Sequence, residues 1–437
     1  MGTAELVPPD ALHALLDKYN VPGVSIAAIQ PCTTASNEAS RIVTQVAGVA
    51  CRETEMPIFD STWFQIASLS KTIAAAFAIE YFKSKGIPMT AKVNPLLREA
   101  GSSIEIQSDS NMPTEWAEDV TLAHLINHTG LGMHYVNGIP LSDEMPSTAS
   151  LLSGTDKAPA PYGYANLSLT RCPGTKFGYS GGGFILLQHL LEAREGKPVA
   201  EMLAEFLSSS GTAVRLGLSF EQNSSGKHYA KGHLDNKGQV PGGRLMFPPL
   251  AAGGLGTAGA LAEWLLQLAL AYRRPEGYPP ITHDTAVAML TPGPDLGSEE
   301  FMGAGMGLGV FVLEAAAKPG EPASKWMLHQ AANDGFRGFF LVCFDGPEAA
   351  SGPRGVVVLS NGNNNGTLLN CAVAKLLLQD GGAFTPTLRA LDWSLAKSLD
   401  SFSTHGLKQE EIVNLGLKDL VLAAFKRPSH VSGFSRL

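Results

Sequence analysis

The sequence predicts an α/β fold of the segregated kind (α+β): one largely antiparallel sheet built from both chain ends, with a helical lobe inserted between them. Three observations lead there. Runs of strand length lie near the start, at Val24–Ile29 and Arg41–Ala50. Others lie late, at Gly307–Leu313, Trp326–His329, Phe336–Phe344 and Gly355–Ser360. Between them the chain is mostly helix and loop, rich in Gly and Pro. Short turns joining the terminal strands make antiparallel pairing the natural arrangement.

Taken in order, Asp10–Tyr19 reads as a short amphipathic helix, and Val21-Pro22-Gly23 turns the chain into the first strand. Arg41–Ala50 is its hairpin partner. A helix containing Ser68 runs to about Lys85, and further helices are expected at Leu122–Asn127, Gly183–Ala193, Val199–Ser208, Ala258–Tyr272 and Leu368–Leu378. Asn333-Asp334-Gly335 is the expected turn of a late hairpin. The division that follows is a sheet domain of residues 1–87 and 303–383, an inserted helical lobe of residues 88–302, and a C-terminal extension of residues 384–437. Within the extension, Leu407–Lys426 has the spacing of an amphipathic helix docked on the body.

Composition narrows the function. The chain has 437 residues, 44% apolar and 16% charged, which marks a globular protein with a large core. A net charge of −8 and no basic cluster exclude nucleic acid or an anionic membrane as the main partner. No apolar run is long enough to span a bilayer, and the first residues have neither a signal-peptide pattern nor the myristoylation motif. The 5 cysteines (Cys32, Cys51, Cys172, Cys343, Cys371) are scattered, which fits a reduced intracellular protein. Sequons at Asn127, Asn166, Asn223 and Asn365 are then fortuitous. The sequence closes on Ser435-Arg436-Leu437, a variant of the Ser-Lys-Leu peroxisomal address. The expected location is therefore cytoplasmic or peroxisomal, with a peroxisomal import receptor as a protein partner in the second case.

The segment Phe64-Gln65-Ile66-Ala67-Ser68-Leu69-Ser70-Lys71 carries the chemistry. Ser68 and Lys71 stand three apart, on one face of a helix. A serine hydroxyl needs a neighbouring base to attack at neutral pH. A buried lysine can supply one, because desolvation lowers its pKa and a neutral amine accepts a proton. The helix N-terminus favours the oxyanion that forms. The bland alternative is a helix start, with Ser68 as N-cap and Ser70 and Lys71 solvated.

Other segments add to this. Pro173–Phe184 is a Gly-rich loop that brings Tyr179 to the start of an apolar helix. A phenol there can relay protons, or simply pack. His329–Gly338 is a polar strand end able to offer a backbone N–H to an oxyanion. His124 and His128 have metal-ligand spacing, but no Glu follows His124 and no third ligand is evident. His128-Thr129-Gly130 reads instead as a helix end with Gly130 as cap, and no metal or cofactor is assigned.

Together these blocks resemble the serine β-lactamase and penicillin-binding-protein superfamily, and within it the class C β-lactamases, family VIII carboxylesterases and related fungal acyltransferases. The resemblance spans Leu6 to Gln379 and also includes Val21-Pro22-Gly23, Leu122–Leu131, Gly253–Thr257 and Val356–Gly362. It implies a three-layer sandwich. It also implies that Ser68 is the nucleophile, Lys71 its base and Tyr179 the proton shuttle matching the Tyr of Tyr-x-Asn. His329-Gln330-Ala331 would match Lys-Thr-Gly at the sheet edge. The N–H groups of Ser68 and Ala332 would form the oxyanion hole, with Ser180 and Gly181 beside the substrate.

Two departures bear on substrate. Gly181 replaces the Asn of Tyr-x-Asn, and Ala331 in place of Gly is expected to crowd the strand edge. Both argue against efficient β-lactam hydrolysis. The expected function is cleavage of carboxylic esters or amides through an acyl-serine. The alternatives are acyl transfer to a metabolite alcohol or amine, or a non-catalytic binding or assembly protein. Lys71 is expected to work unprotonated, or sharing its proton with Tyr179, the two titrating as a pair, and His329 to titrate near neutrality.

Overall fold

The computed structural model describes residues 5–31, 40–132, 137–152, 168–222, 226–235, 238–316 and 320–378. The Leu407–Lys426 segment and Ser435-Arg436-Leu437 lie outside the described residues.

The chain opens with helix α1 (Pro9–Tyr19) and a hairpin of β1 (Gly23–Pro31) and β2 (Ser40–Cys51). Short strands β3 (Met56–Pro57) and β4 (Phe64–Gln65) lead to a 3-10 turn, Ala67–Leu69, and to helix α2 (Ser70–Ser84). The middle of the chain is helical. Its elements that matter for the site are α3 (Leu122–Ile126), α4 (Gly181–Glu195) and α5 (Pro249–Ala252), followed by β5 (Leu255–Gly256) and α6 (Ala258–Arg273). Short helix α7 (Ser298–Met302) precedes strands β6 (Gly305–Met306), β7 (Phe311–Ala316), β8 (Ala323–Asn333), β9 (Phe336–Asp345) and β10 (Arg354–Ser360). Helix α8 (Asn364–Leu378) follows them.

Eight strands form one antiparallel sheet in the order β6-β7-β8-β9-β10-β1-β2-β3. The two chain ends meet in its middle, where Val24 pairs Ser360 and Ile29 pairs Gly355. Alternation of side chains gives the sheet two buried faces. One face contributes Ala27, Ile29, Phe340, Val342 and Val357 to a core shared with α2, α4 and α6. The other contributes Val24, Ile26, Phe339, Leu341 and Val358 to a core shared with α1 and α8. The result is three layers, as expected.

Among the boundaries that differ from expectation, three bear on the site. The strand expected over Gly307–Leu313 begins only at Phe311. Gly307 and Gly309 form the turn before it. At Gly309, with φ 77°, an added Cβ would lie 2.2 Å from Ala75 Cβ, so this turn packs directly on α2. The strand expected over Trp326–His329 is longer and runs from Ala323 to Asn333. The α-helix expected from Ser68 starts at Ser70, and Ser68 lies in the tighter turn ahead of it.

Candidate active site

The turn carrying Ser68 is pinned by its neighbours. β4 pairs with β5, and the N–H of Ile66 donates to Gly254 O at 3.0 Å. The N–H of Gly254 donates in turn to Ser70 Oγ at 2.9 Å. This close approach requires glycine, since a Cβ on Gly254 would sit 2.6 Å from Ser70 Oγ and 2.8 Å from Ile66 Cδ1. Ala67, fully buried, takes a left-handed backbone at φ 45°. A non-glycine residue pays about 1–3 kcal/mol for such a conformation. Here it turns the chain sharply so that Ser68 is the one partly exposed residue of an otherwise buried stretch, residues 62–70.

Lys71 follows one turn later. Its Nζ donates to Ser68 Oγ at 3.2 Å and to Ala251 O at 2.5 Å. It also lies 5.0 Å from the ring centroid of Tyr179 and 5.6 Å from that of Phe184. Burial lowers its pKa to about 7, so much of it is neutral at neutral pH. The solvated helix start is thereby excluded: Lys71 is 2% exposed and Ser70 is fully buried.

Tyr179 arrives from the loop before α4. Its ring lies 4.4 Å from that of His128, and stacks on Phe301 of α7 at 5.5 Å with an interplanar angle of 16°. Ser180 is the N-cap of α4: its Oγ accepts the N–H of Gly183 at 3.0 Å. Gly181 is the first residue of that helix.

The third group comes from β8. β7 pairs with this strand only as far as Leu328, opposite Phe311. From His329 to Asn333 that edge carries no strand partner among the described residues, and the Ser68 turn packs against β8. Ala332 lies on this segment, paired on the other side with Arg337. Asn333 Nδ2 donates to Ala252 O at 3.2 Å. The successive carbonyls of α5 thus tie Lys71 and β8 to one support. His329 is buried 6.1 Å from the Tyr179 ring, and the N–H of Gln330 donates to its Nδ1 at 2.8 Å. Gln330 is also buried, with neither amide atom partnered among the described residues.

Two expectations need correcting here. Burial, and then the charge of Lys71, push His329 down to about 3, so it does not titrate near neutrality. Ala331 does not crowd the open edge: it is buried in the core opposite Gly338.

Gly130, the cap expected from sequence, does not take the left-handed position at this helix end; His128 does, at φ 61°. His124 is a capping residue instead. Thr121 Oγ1 accepts its N–H and its Nδ1 accepts that of Thr121, both at 3.3 Å. Among the described residues no group of His, Cys, Asp and Glu could hold a metal ion. The contribution of Ala251 carries no sequence signal, because it is made by a backbone carbonyl.

Ser68, Lys71, Tyr179, His329 and the open segment of β8 therefore form one site. An amine whose pKa burial lowers to about 7 contacts a serine hydroxyl at the foot of a helix, with a phenol beside it. That arrangement can activate the serine and pass its proton onward.

The Beta-lactamase family model matches residues 10–378. No curated protein matches significantly. Among solved structures, the chain is similar to an octameric penicillin-binding protein homologue from Pyrococcus abyssi. The two share 19% identity and a TM-score of 0.59, over 89% of this chain and 80% of that one. It is also similar to a class C beta lactamase from Rhodobacter sphaeroides, at 18% identity and TM-score 0.56, over 84% of this chain and 97% of that one. A D-amino acid amidase from Ochrobactrum anthropi SV3 is similar at 15% identity and TM-score 0.57, over 89% of this chain and 99% of that one. At these identities the likeness is one of fold.

Proposed function

The chain belongs to the beta-lactamase family, and on that premise we propose that it is a serine hydrolase cleaving carboxylic esters through an acyl-Ser68 intermediate. One observation carries the proposal: a buried lysine, its pKa lowered to about 7, stands 3.2 Å from the serine hydroxyl. Neutral Lys71 takes the Ser68 proton as Oγ attacks the ester carbonyl. The backbone N–H groups of Ser68 and Ala332 receive the developing oxyanion. Tyr179, beside Lys71, gives its proton to the leaving alkoxide and regains one from the protonated Lys71, so an alcohol departs, the acyl group stays on Ser68 and Lys71 is neutral again. Water then attacks the acyl-enzyme with the same groups acting in reverse, releasing acid and restoring the serine.

Esters are favoured over β-lactams because Gly181 supplies no amide where Tyr-x-Asn has one, and because His329 is uncharged at neutral pH. Rates for wild type and Ser68→Ala on nitrophenyl acetate and nitrophenyl butyrate test the proposal. It predicts loss of nearly all turnover in Ser68→Ala, and equal rates would refute it. Acyl thioesters offered with candidate alcohols separate hydrolysis from acyl transfer. Free acid as the sole product supports the hydrolase, and a new ester would replace it with the transferase.

A further inference from the structure

His128 stands in a left-handed conformation at φ 61°, which glycine adopts without cost and other residues do not. The histidine is fully buried. Its carbonyl accepts the N–H of Gly178 at 2.8 Å, and its Nδ1 accepts the N–H of Ser180 at 3.0 Å. Its ring lies 4.4 Å from the ring of Tyr179, centroid to centroid. These contacts bracket Tyr179: one falls on the residue before it, one on the residue after it, and one on the phenol ring. A helix cap alone would need none of them.

We infer that His128 is a positioning residue for the proton relay, fixing the Tyr179 phenol beside Lys71 through Gly178, Ser180 and the ring face. Because Nδ1 accepts a backbone N–H, the proton of the neutral imidazole sits on Nε2. Burial, and then the charge Lys71 carries when protonated, keep the ring neutral. His128 is thus no rival base to Lys71. It acts through the place it gives to Tyr179. The inference rests on the reading of Tyr179 as the group that protonates the leaving alkoxide.

That reading has a measurable consequence. A nitrophenolate leaves without a proton, whereas an ethoxide does not. The experiment compares kcat/KM for nitrophenyl butyrate and ethyl butyrate, which share one acyl group. Wild type, His128→Phe, His128→Asn, Tyr179→Phe and the double variant His128→Phe/Tyr179→Phe are compared, each normalised by active-site titration with a fluorophosphonate. His128→Phe keeps a ring and loses the acceptor. His128→Asn keeps an acceptor for Ser180, tolerates the left-handed backbone and loses the ring.

His128→Phe should lower the rate on ethyl butyrate about tenfold more than on nitrophenyl butyrate, with His128→Asn in between. In the Tyr179→Phe background, His128→Phe should change the ethyl butyrate rate by less than about twofold, because a positioning residue has nothing left to position. Equal losses on both esters, or full additivity with Tyr179→Phe, would overturn the inference and leave His128 a packing residue. If Tyr179→Phe itself spares ethyl butyrate, the reading of Tyr179 fails first, and the inference with it. Should His128→Phe yield no folded protein, His128→Asn and its double variant carry the same comparison.

Discussion

Replacing Lys71 by methionine should stabilise the fold at neutral pH while abolishing turnover. Burial lowers the Lys71 pKa from 10.5 to about 7, whereas in the unfolded chain the amine titrates near ~10.4. Between these values the unfolded state binds more protons than the folded one, so stability rises with pH across that window. Below about pH 7 the whole penalty of burying the lysine applies, on the order of 5 kcal/mol. At pH 7 it is about 4 kcal/mol, and by pH 9.5 about 1.5 kcal/mol. Lys71→Met keeps an apolar stem of similar length and removes the ionisable group. It also deprives Ala251 O of its 2.5 Å donor, a loss of about 1–3 kcal/mol. The net gain at pH 7 is then roughly 1–3 kcal/mol. The pH dependence is the sharper signature, because the lost hydrogen bond affects only the offset. Urea unfolding of both proteins between pH 6 and 9.5 reads it directly. The advantage of Lys71→Met should shrink by about 3 kcal/mol from pH 7 to pH 9.5. A pH-independent difference, or one that grows with pH, would refute the buried, depressed lysine.

The same shift governs activity: kcat/KM should rise through a limb near pH 7, where Lys71 loses its proton. Lys71→Arg should remove that limb, since guanidinium keeps its proton. His329→Gln should leave it in place, because His329 is already neutral above about 3; a displaced limb in pH–rate profiles would contradict this. Gly254→Ala should cut kcat/KM about tenfold or more, because the new methyl would meet Ser70 Oγ at 2.6 Å and shift the nucleophile turn; near-wild-type kinetics would count against that support. Ala67→Gly should raise thermal stability by up to about 1 kcal/mol by relieving the φ 45° backbone, offset in part by the extra freedom glycine has when unfolded; a loss beyond that entropy would show the residue unstrained.

Much of the architecture was legible because it is written in local periodicity. The antiparallel hairpins near both ends, α2, α4 and α6, and the Asn333-Asp334-Gly335 turn all follow from apolar spacing and turn residues. The 3-10 turn at Ser68 was not legible, because its geometry is imposed by Gly254 and β5, far away in sequence. Ser68, Lys71 and Tyr179 could be named from residue type and motif, and the structure brings them together. His128-Thr129-Gly130 does close the helix, but the left-handed position falls on His128 rather than Gly130 for a physical reason sequence does not show. Glycine is the default left-handed residue, and Gly130 was nearby to claim the cap. Only the contacts to Gly178, Ser180 and Tyr179 reveal why a histidine occupies that position. The neutrality of His329 was equally hidden, since a histidine's pKa follows from burial and neighbouring charge rather than from sequence position. Phe301 carries no motif, and its stacking on Tyr179 depends on where α7 docks.

The central claim is that catalysis passes through an acyl group on Ser68, formed by a neutral Lys71. Rapid acid quench of the enzyme with nitrophenyl butyrate, followed by intact-mass and peptide-mass analysis, tests it most directly. The account predicts a butyryl adduct on the peptide containing Ser68, accumulating faster at pH 8 than at pH 6 and absent from Ser68→Ala. Turnover at full rate with Ser68 unmodified, or an adduct on another residue, would contradict it.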